Sequence, residues 1–318
     1  MRRLLVGFTA ALLVSTTAAC GSSDPSTPSK GGTASVKVGV IPIVDVAPIY
    51  LGKEKGFYSD RGIDLTLVGA QGGAAIVPGV VSGQFQFGFS NVTSLMIAAD
   101  KNVPVKAVAN GVASTGKDGG DFAGIVVKGN SPLKTAKDLE GRKVAVNTLK
   151  NIGDTSVRES VRKAGGDPSK VGFVELPFDQ MSAALDGGQV DAAWVVEPAL
   201  ATVKGKGGRV IASNFVDLAP DLTVALYFTA QQYAQKDPEL VKKFQEATRA
   251  SLAYADSHPE EVRKVLTTYT KIPESTLQAM TLPKWPAEPN RASLETLGRL
   301  GEQDGLLSGA PDLDELLP

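Results

Sequence analysis

The chain has 318 residues and nearly balanced charge, with Lys+Arg 33 against Asp+Glu 34. A formal net charge of -1 leaves no basic footprint for nucleic acid and no polybasic patch for anionic lipid. With one histidine, His258, and one cysteine, Cys20, the chain cannot build an intrachain disulfide, a His-paired thiol nucleophile or a multi-histidine metal site.

The N-terminus reads as a leader over residues 1–19. Met1-Arg2-Arg3 is a short cationic start, and Leu4 to Val14 is an apolar run too short for the roughly 20 residues that a membrane span requires. Thr16-Thr17-Ala18-Ala19 then places small residues directly before Cys20, as in a bacterial lipobox. This pattern predicts cleavage, acylation of Cys20 and anchoring of the protein to the outer face of the cell membrane. Residues 20–35 follow as a tether rich in Gly, Ser, Pro and Thr, with too little apolar side chain to join a core.

From Val36 the pattern alternates between strand and helix. Predicted strands are Val36 to Val40, Asp64 to Val68, Phe85 to Phe89 and Val103 to Ala109, with helices over Ala47 to Lys55, Ala74 to Ser82 and Thr93 to Asp100. A short apolar strand, Gly124 to Val127, precedes a second round. There the strands are Lys143 to Val146, Val171 to Val174, Val190 to Trp194 and Arg209 to Ala212, and the helices are Asp154 to Ala164 and Met181 to Leu185. Strand–helix–strand order with short connections implies parallel sheets with right-handed crossovers. The two rounds echo each other. Lys37-Val-Gly-Val40 matches Lys143-Val-Ala-Val146, and Ser82-Gly-Gln84 matches Gly187-Gly-Gln189 at a spacing equal to within one residue. Thr223 to Phe228 reads as a strand returning to the first lobe. Pro238 then opens a long amphipathic helix, followed by helical stretches at Glu260 to Leu266, Glu274 to Met280 and Arg291 to Leu300. The expected partition is 36–123 with 226–318 in lobe I and 124–225 in lobe II.

Several words along the mature chain resemble the substrate-binding proteins of nitrate, taurine and aliphatic sulfonate importers and the related hydroxymethylpyrimidine binders. They are Glu54-Lys-Gly-Phe-Tyr-Ser-Asp-Arg-Gly-Ile-Asp64, Val81-Ser-Gly-Gln-Phe-Gln-Phe-Gly-Phe-Ser-Asn91, Leu133-Lys-Thr-Ala-Lys-Asp-Leu-Glu-Gly-Arg-Lys143, Ala184-Leu-Asp-Gly-Gly-Gln-Val-Asp-Ala-Ala-Trp194 and Glu197-Pro198. The resemblance implies an α/β, bilobal periplasmic-binding-protein fold of type II, with two pseudo-symmetric lobes, a two-strand hinge and a helical C-terminal segment. It also implies a monomer that captures a small polar solute for the permease and ATPase subunits of an ABC importer, with no cofactor. A thiamine-precursor pyrimidine or another small aromatic or amine solute is the alternative ligand. A fungal enzyme of this group uses its own histidine and a cysteine-rich motif, which this chain lacks, so catalysis is not expected.

In open parallel sheets ligands sit beyond the carboxyl ends of the strands, at helix N-termini. That rule selects Asp45 in the loop after the first strand and Asn91, Val92 and Thr93 after the third. In the second lobe it selects Asn151, Gly153 and Asp154, then Trp194 and Glu197. Each has a structural alternative: Asn91, Thr93, Asn151 and Asp154 as helix caps, Asp45 as a loop cap, Trp194 as core, and Glu197 as a favourable charge at a helix start. Lys150 is the one basic residue in these loops. Two acids, Asp45 and Glu197, suit an amine, a zwitterion or a heterocycle better than a bare anion.

Overall fold

The computed structural model describes residues 32–317, so the leader, Cys20 and most of the tether lie outside the described residues. The strands are β1 Ala34–Val40, β2 Ile63–Gly69, β3 Phe87–Asn91, β4 Val105–Ala113, β5 Ala123–Val127, β6 Lys143–Val146, β7 Gly172–Glu175, β8 Ala192–Val196, β9 Arg209–Ala212 and β10 Thr223–Ala230. The α-helices are α1 Ala47–Glu54, α2 Gly73–Val81, α3 Val92–Asp100, α4 Ile152–Lys163, α5 Phe178–Asp186, α6 Ala199–Gly205, α7 Asn214–Leu218, α8 Gln231–Lys236, α9 Pro238–Ser257, α10 Pro259–Leu266, α11 Glu274–Ala279, α12 Arg291–Gln303 and α13 Leu313–Leu316. Among the described residues no helix is long and apolar enough to cross a membrane.

The strands form two five-stranded sheets, ordered β2-β1-β3-β10-β4 and β7-β6-β8-β5-β9. Each is parallel except for one antiparallel strand, β10 in the first and β5 in the second. These antiparallel strands are the ones by which the chain enters each sheet from the other lobe. The two crossovers run side by side, with the Ser114 amide donating to the Leu222 carbonyl at 2.8 Å. Asp121 fixes the outward crossover by accepting from the Ser114 hydroxyl at 2.7 Å and from the Thr115 and Phe122 amides, both at 2.9 Å.

The repeat seen in the sequence is a structural repeat. In lobe I the Lys37 amide donates to Gln86 Oε1 at 2.8 Å while the Gln86 amide donates to the Lys37 carbonyl. In lobe II the Lys143 amide donates to Asp191 Oδ2 at 2.8 Å and the Asp191 amide to the Lys143 carbonyl. The matched glycines turn the chain from helix to strand with positive φ, 78° at Gly83 and 69° at Gly188, a conformation that costs glycine little.

Two strands start two residues later than the apolar pattern predicts, for one reason. Phe85 closes the end of α2 by donating its amide to Gly79, and Gln189 does the same to Ala184 in α5, so pairing begins at Phe87 and Ala192. Pro104 has no amide and Val103 still caps α3, which moves the start of β4 from Val103 to Val105. The short helices α6, α7, α8 and α13 carry too few turns to show a period and are not evident in the sequence.

Helix α9 packs Leu240, Val241, Phe244, Ala247 and Leu252 onto lobe I. Its Phe244 stacks on Phe87, with ring centroids 3.9 Å apart and planes 3° from parallel. Beyond α11, residues 281–288 act as a strap. The Thr281 amide donates to Glu197 in lobe II, Lys284 pairs with Ala113 at the end of β4, and Trp285 Nε1 donates to the Asp45 carbonyl at 3.1 Å. One short segment therefore ties both lobes to the crossover.

Candidate functional site

The carboxyl ends of the parallel strands in the two sheets face each other, and the loops there are in contact. Ser94 of α3 and Asn151 at the start of α4 are hydrogen bonded across the lobes at 3.0 Å. The Val44 amide donates to the Glu197 carbonyl at 3.2 Å. Further from the cleft, Arg162 of α4 pairs with Asp304 after α12. At the lobe boundary a groove of about 750 Å³ opens to solvent, lined by Ile43 and Gln71 from lobe I, Phe178, Gln180 and Pro198 from lobe II, and Tyr269 and Lys271 from the C-terminal segment. Its size suits a small molecule. A smaller cavity of about 330 Å³, near Lys128, Asp186 and Lys206, lies at the opposite end of lobe II.

Phe178 meets Trp194 edge to face at 5.4 Å, and Tyr269 donates its hydroxyl to the Ile43 carbonyl at 3.0 Å, two residues before Asp45. Buried polar atoms without a hydrogen-bond partner in the protein occur in both lobes. Lobe I contributes Asp45 Oδ1, Thr93 Oγ1 and the Tyr227 hydroxyl; lobe II contributes Asp154 Oδ1, Thr155 Oγ1 and Trp194 Nε1. Buried polar groups are rarely left unpaired, because each costs about 1–3 kcal/mol in that state. Asp45, Thr93, Asp154 and Thr155 lie in the turns and helix starts beyond the carboxyl ends of β1, β3 and β6, the positions at which open α/β sheets bind ligands.

The nine sequence-predicted residues divide into two groups. Asp45 is 3% exposed in the turn before α1. Burial, reinforced by the Asp121 charge, pushes its carboxyl up to about 7, against a smaller downward pull from its own backbone amide. Thr93 and Trp194 are buried with polar atoms unpartnered. Asp154 accepts from the Lys150 amide through Oδ2 at 3.0 Å while Oδ1 is unmatched, and burial raises it to about 6. Val92 is fully buried beside Thr93. Gly153 lies under the Trp194 indole: a Cβ there would stand 2.6 Å from the ring, so the close approach requires glycine.

The other three have structural partners. Asn91 caps α3 by accepting from the Ser94 amide at 3.0 Å. Asn151 accepts from the Ile152 amide and bonds Ser94. Glu197 is fully buried, and both its oxygens are engaged: Oε2 accepts from the Ala201 amide at 2.9 Å and Oε1 from the Thr281 amide at 3.1 Å. Burial nonetheless raises it to about 7. Its carboxylate holds α6 and the strap rather than facing the groove.

Sequence reasoning missed Tyr227, Thr155 and Trp285. Thr155 sits one residue beyond a selected loop. Tyr227 lies mid-strand and Trp285 in an irregular strap, so neither position carried a signal. The single histidine is engaged elsewhere: His258 stacks on Tyr254 at 3.8 Å, and its Nδ1 lies 2.8 Å from the Tyr254 carbonyl at the α9–α10 junction.

Residues 43–262 match the family model described as NMT1/THI5 like. Among curated proteins, the taurine-binding periplasmic protein of Escherichia coli is 26% identical over 71% of this chain and 70% of its own length. The riboflavin-binding protein RibY of Chloroflexus aurantiacus is 24% identical over 89% of this chain and 81% of its own. Among solved structures, the periplasmic nitrate-binding protein NrtA of Synechocystis superposes with a TM-score of 0.76 at 18% identity, covering 90% of this chain and 86% of that one. That likeness concerns the fold alone.

Proposed function

Because the chain belongs to the NMT1/THI5-like family, we propose that it is the solute-binding protein of an ABC importer, working outside the cytoplasm. It captures a small polar solute between its lobes and presents it, as a monomer, to permease and ATPase subunits. The taurine-binding relative supports this reading, and the observation that carries it is the set of unpartnered buried polar atoms supplied by both lobes at the strand ends. A solute filling that space would satisfy groups on each lobe at once and so hold the lobes together. The solute is of the taurine, sulfonate or nitrate type or, as a second reading favoured by the buried acid Asp45, a pyrimidine or other amine-bearing molecule. Asp45, Val92, Thr93, Gly153, Asp154 and Trp194 are the proposed ligand-facing set, with Asn91 and Asn151 shaping the helix N-termini beside it.

Closure by hinge bending at the two crossovers makes a measurable prediction. Small-angle scattering of the purified mature protein should give a smaller radius of gyration at saturating solute than without it, and binding should raise thermal stability by mass action. An unchanged radius would count against a hinge at Ser114–Asp121 and Leu222.

We also propose that Cys20 carries the membrane anchor. Two or three acyl chains hold a protein stably on a bilayer where one does so only marginally. Cys20→Ala should therefore move the protein from the membrane fraction to the medium or leave it unprocessed. Retention of the variant on membranes at the wild-type level would exclude lipidation at this residue.

A further inference from the structure

Four segments meet at Glu197, which follows β8 in lobe II and has no exposed surface. Its amide donates to the Phe122 carbonyl at 2.9 Å, beside the outward crossover, and its carbonyl accepts from the Val44 amide of lobe I at 3.2 Å. Its carboxylate joins the other two segments. Oε2 accepts from the Ala201 amide inside α6, and Oε1 accepts from the Thr281 amide at the head of the strap. One oxygen of a buried lobe II acid is thus given to a backbone donor 84 residues further along the chain.

The segment that supplies this donor is fixed to lobe I on both sides of Thr281. Before it, α10 packs on α1, and Arg263 of α10 donates to the Leu277 and Met280 carbonyls at the end of α11. After it, Lys284 and Ala113 exchange backbone hydrogen bonds at 3.1 and 2.9 Å, and Trp285 Nε1 donates to the Asp45 carbonyl. Towards lobe II the segment packs α11 against α6 and donates the Thr281 amide. Apolar packing is non-directional and tolerates sliding, whereas a hydrogen bond weakens steeply once its geometry is lost. The carboxylate therefore decides where lobe II rests against the segment.

We infer that Glu197 is the clasp by which the C-terminal segment holds lobe II against lobe I, a positioning residue that sets how readily the cleft opens. Its carboxylate reaches the strap and α6, so it acts on solute capture through the lobes and not by contact. That role in capture rests on the solute-binding reading above, but the clasp itself is testable with no solute present.

The test is amide hydrogen exchange at residue resolution, with small-angle scattering, on the purified mature protein at pH 8 and without added solute. The Glu197 carboxyl, raised to about 7 by burial, is largely ionised there. Thr281→Pro removes the donor, and Met280 already has the extended backbone, φ -67° and ψ 141°, that a following proline requires. Thr281→Ala keeps the amide and is the control. The Val44 amide reports on the lobes, because its bond to the Glu197 carbonyl crosses between them. The Gln86 and Asp191 amides, bonded to the Lys37 and Lys143 carbonyls, report on the interior of each lobe.

In Thr281→Pro the Val44 amide should exchange about tenfold or more faster than in wild type, the worth of one hydrogen bond to a charged group. The radius of gyration should rise, Gln86 and Asp191 should keep wild-type rates, and Thr281→Ala should match wild type throughout. Glu197→Gln, which leaves one acceptor oxygen for two amides, should give the same pattern more weakly and stands in if the proline variant does not fold. Wild-type Val44 exchange and radius in either folded variant would overturn the inference. Equal acceleration at Val44, Gln86 and Asp191 would also overturn it, since that marks lost stability and not parted lobes. Both results leave solute capture standing, and a protein that binds no solute would leave the clasp measurement unaffected.

Discussion

Without ligand, the protein should lose several kcal/mol of stability between pH 5 and pH 8, and Asp45→Asn should remove a large part of that loss. The cause is three buried carboxyls. Asp45 moves from 3.8 to about 7, Glu197 from 4.5 to about 7 and Asp154 from 3.8 to about 6, with burial the first cause in each case. The sign follows from linkage. Between the unfolded and folded pKa of such a group, the folded state holds the proton and the unfolded state does not, so stability falls as pH rises. At about 1.4 kcal/mol per pH unit, Asp45 and Glu197 each contribute roughly 2–3 kcal/mol of loss between pH 5 and 7, and Asp154 about 1 between pH 5 and 6. Carboxylates held low, such as Asp138, by the Lys134 and Thr135 amides, act oppositely and only near or below their ordinary range, so they do not mask the slope. Urea unfolding at pH 5, 6, 7 and 8 would measure it. In Asp45→Asn the slope should flatten, and the variant should exceed wild type at pH 8. Glu197→Gln should flatten it too but start lower, since the amide keeps one acceptor for two backbone donors. Stability that is level or rising from pH 5 to 8 in wild type would show that these carboxyls find partners in solution.

Phe244→Ala should cost about 3–5 kcal/mol, the range for deleting a fully buried aromatic side chain. Phe244 has no exposed surface and touches three other rings: Phe87 face to face, Tyr58 at 5.7 Å and Tyr227 at 6.1 Å. Its loss would open a cavity between α9 and the first sheet beside Tyr227, a wall of the proposed ligand site. Affinity should therefore fall along with stability, although residue 244 faces no ligand. Denaturant midpoints at constant slope would give the first quantity and calorimetry the second. A loss below about 1 kcal/mol would mean that α9 is not integral to the lobe I core.

The sequence alone determined which segments fold and in what order. Strands such as Val36 to Val40, the paired glycines at 83 and 188, and Pro238 opening α9 are local signals, because dihedral preference and apolar period depend on residues a few positions apart. The internal repeat and the carboxyl-end rule then pointed to loops at the boundary of the two lobes. Which side chains face that cleft was decided by tertiary structure. Asp45 and Glu197 look alike in sequence, each an acid in a strand-end loop. One carries an oxygen that no protein group meets; the other is held by the Thr281 amide, 84 residues further along the chain. Tyr227 likewise meets Phe89 and Phe244 only because β10 returns to pair with β3, placing it opposite Phe89 and beneath α9. The physical reason is that a hydrogen-bonding partner supplied by a distant segment leaves no trace in the local pattern, so the two acids can be told apart only once the chain is folded.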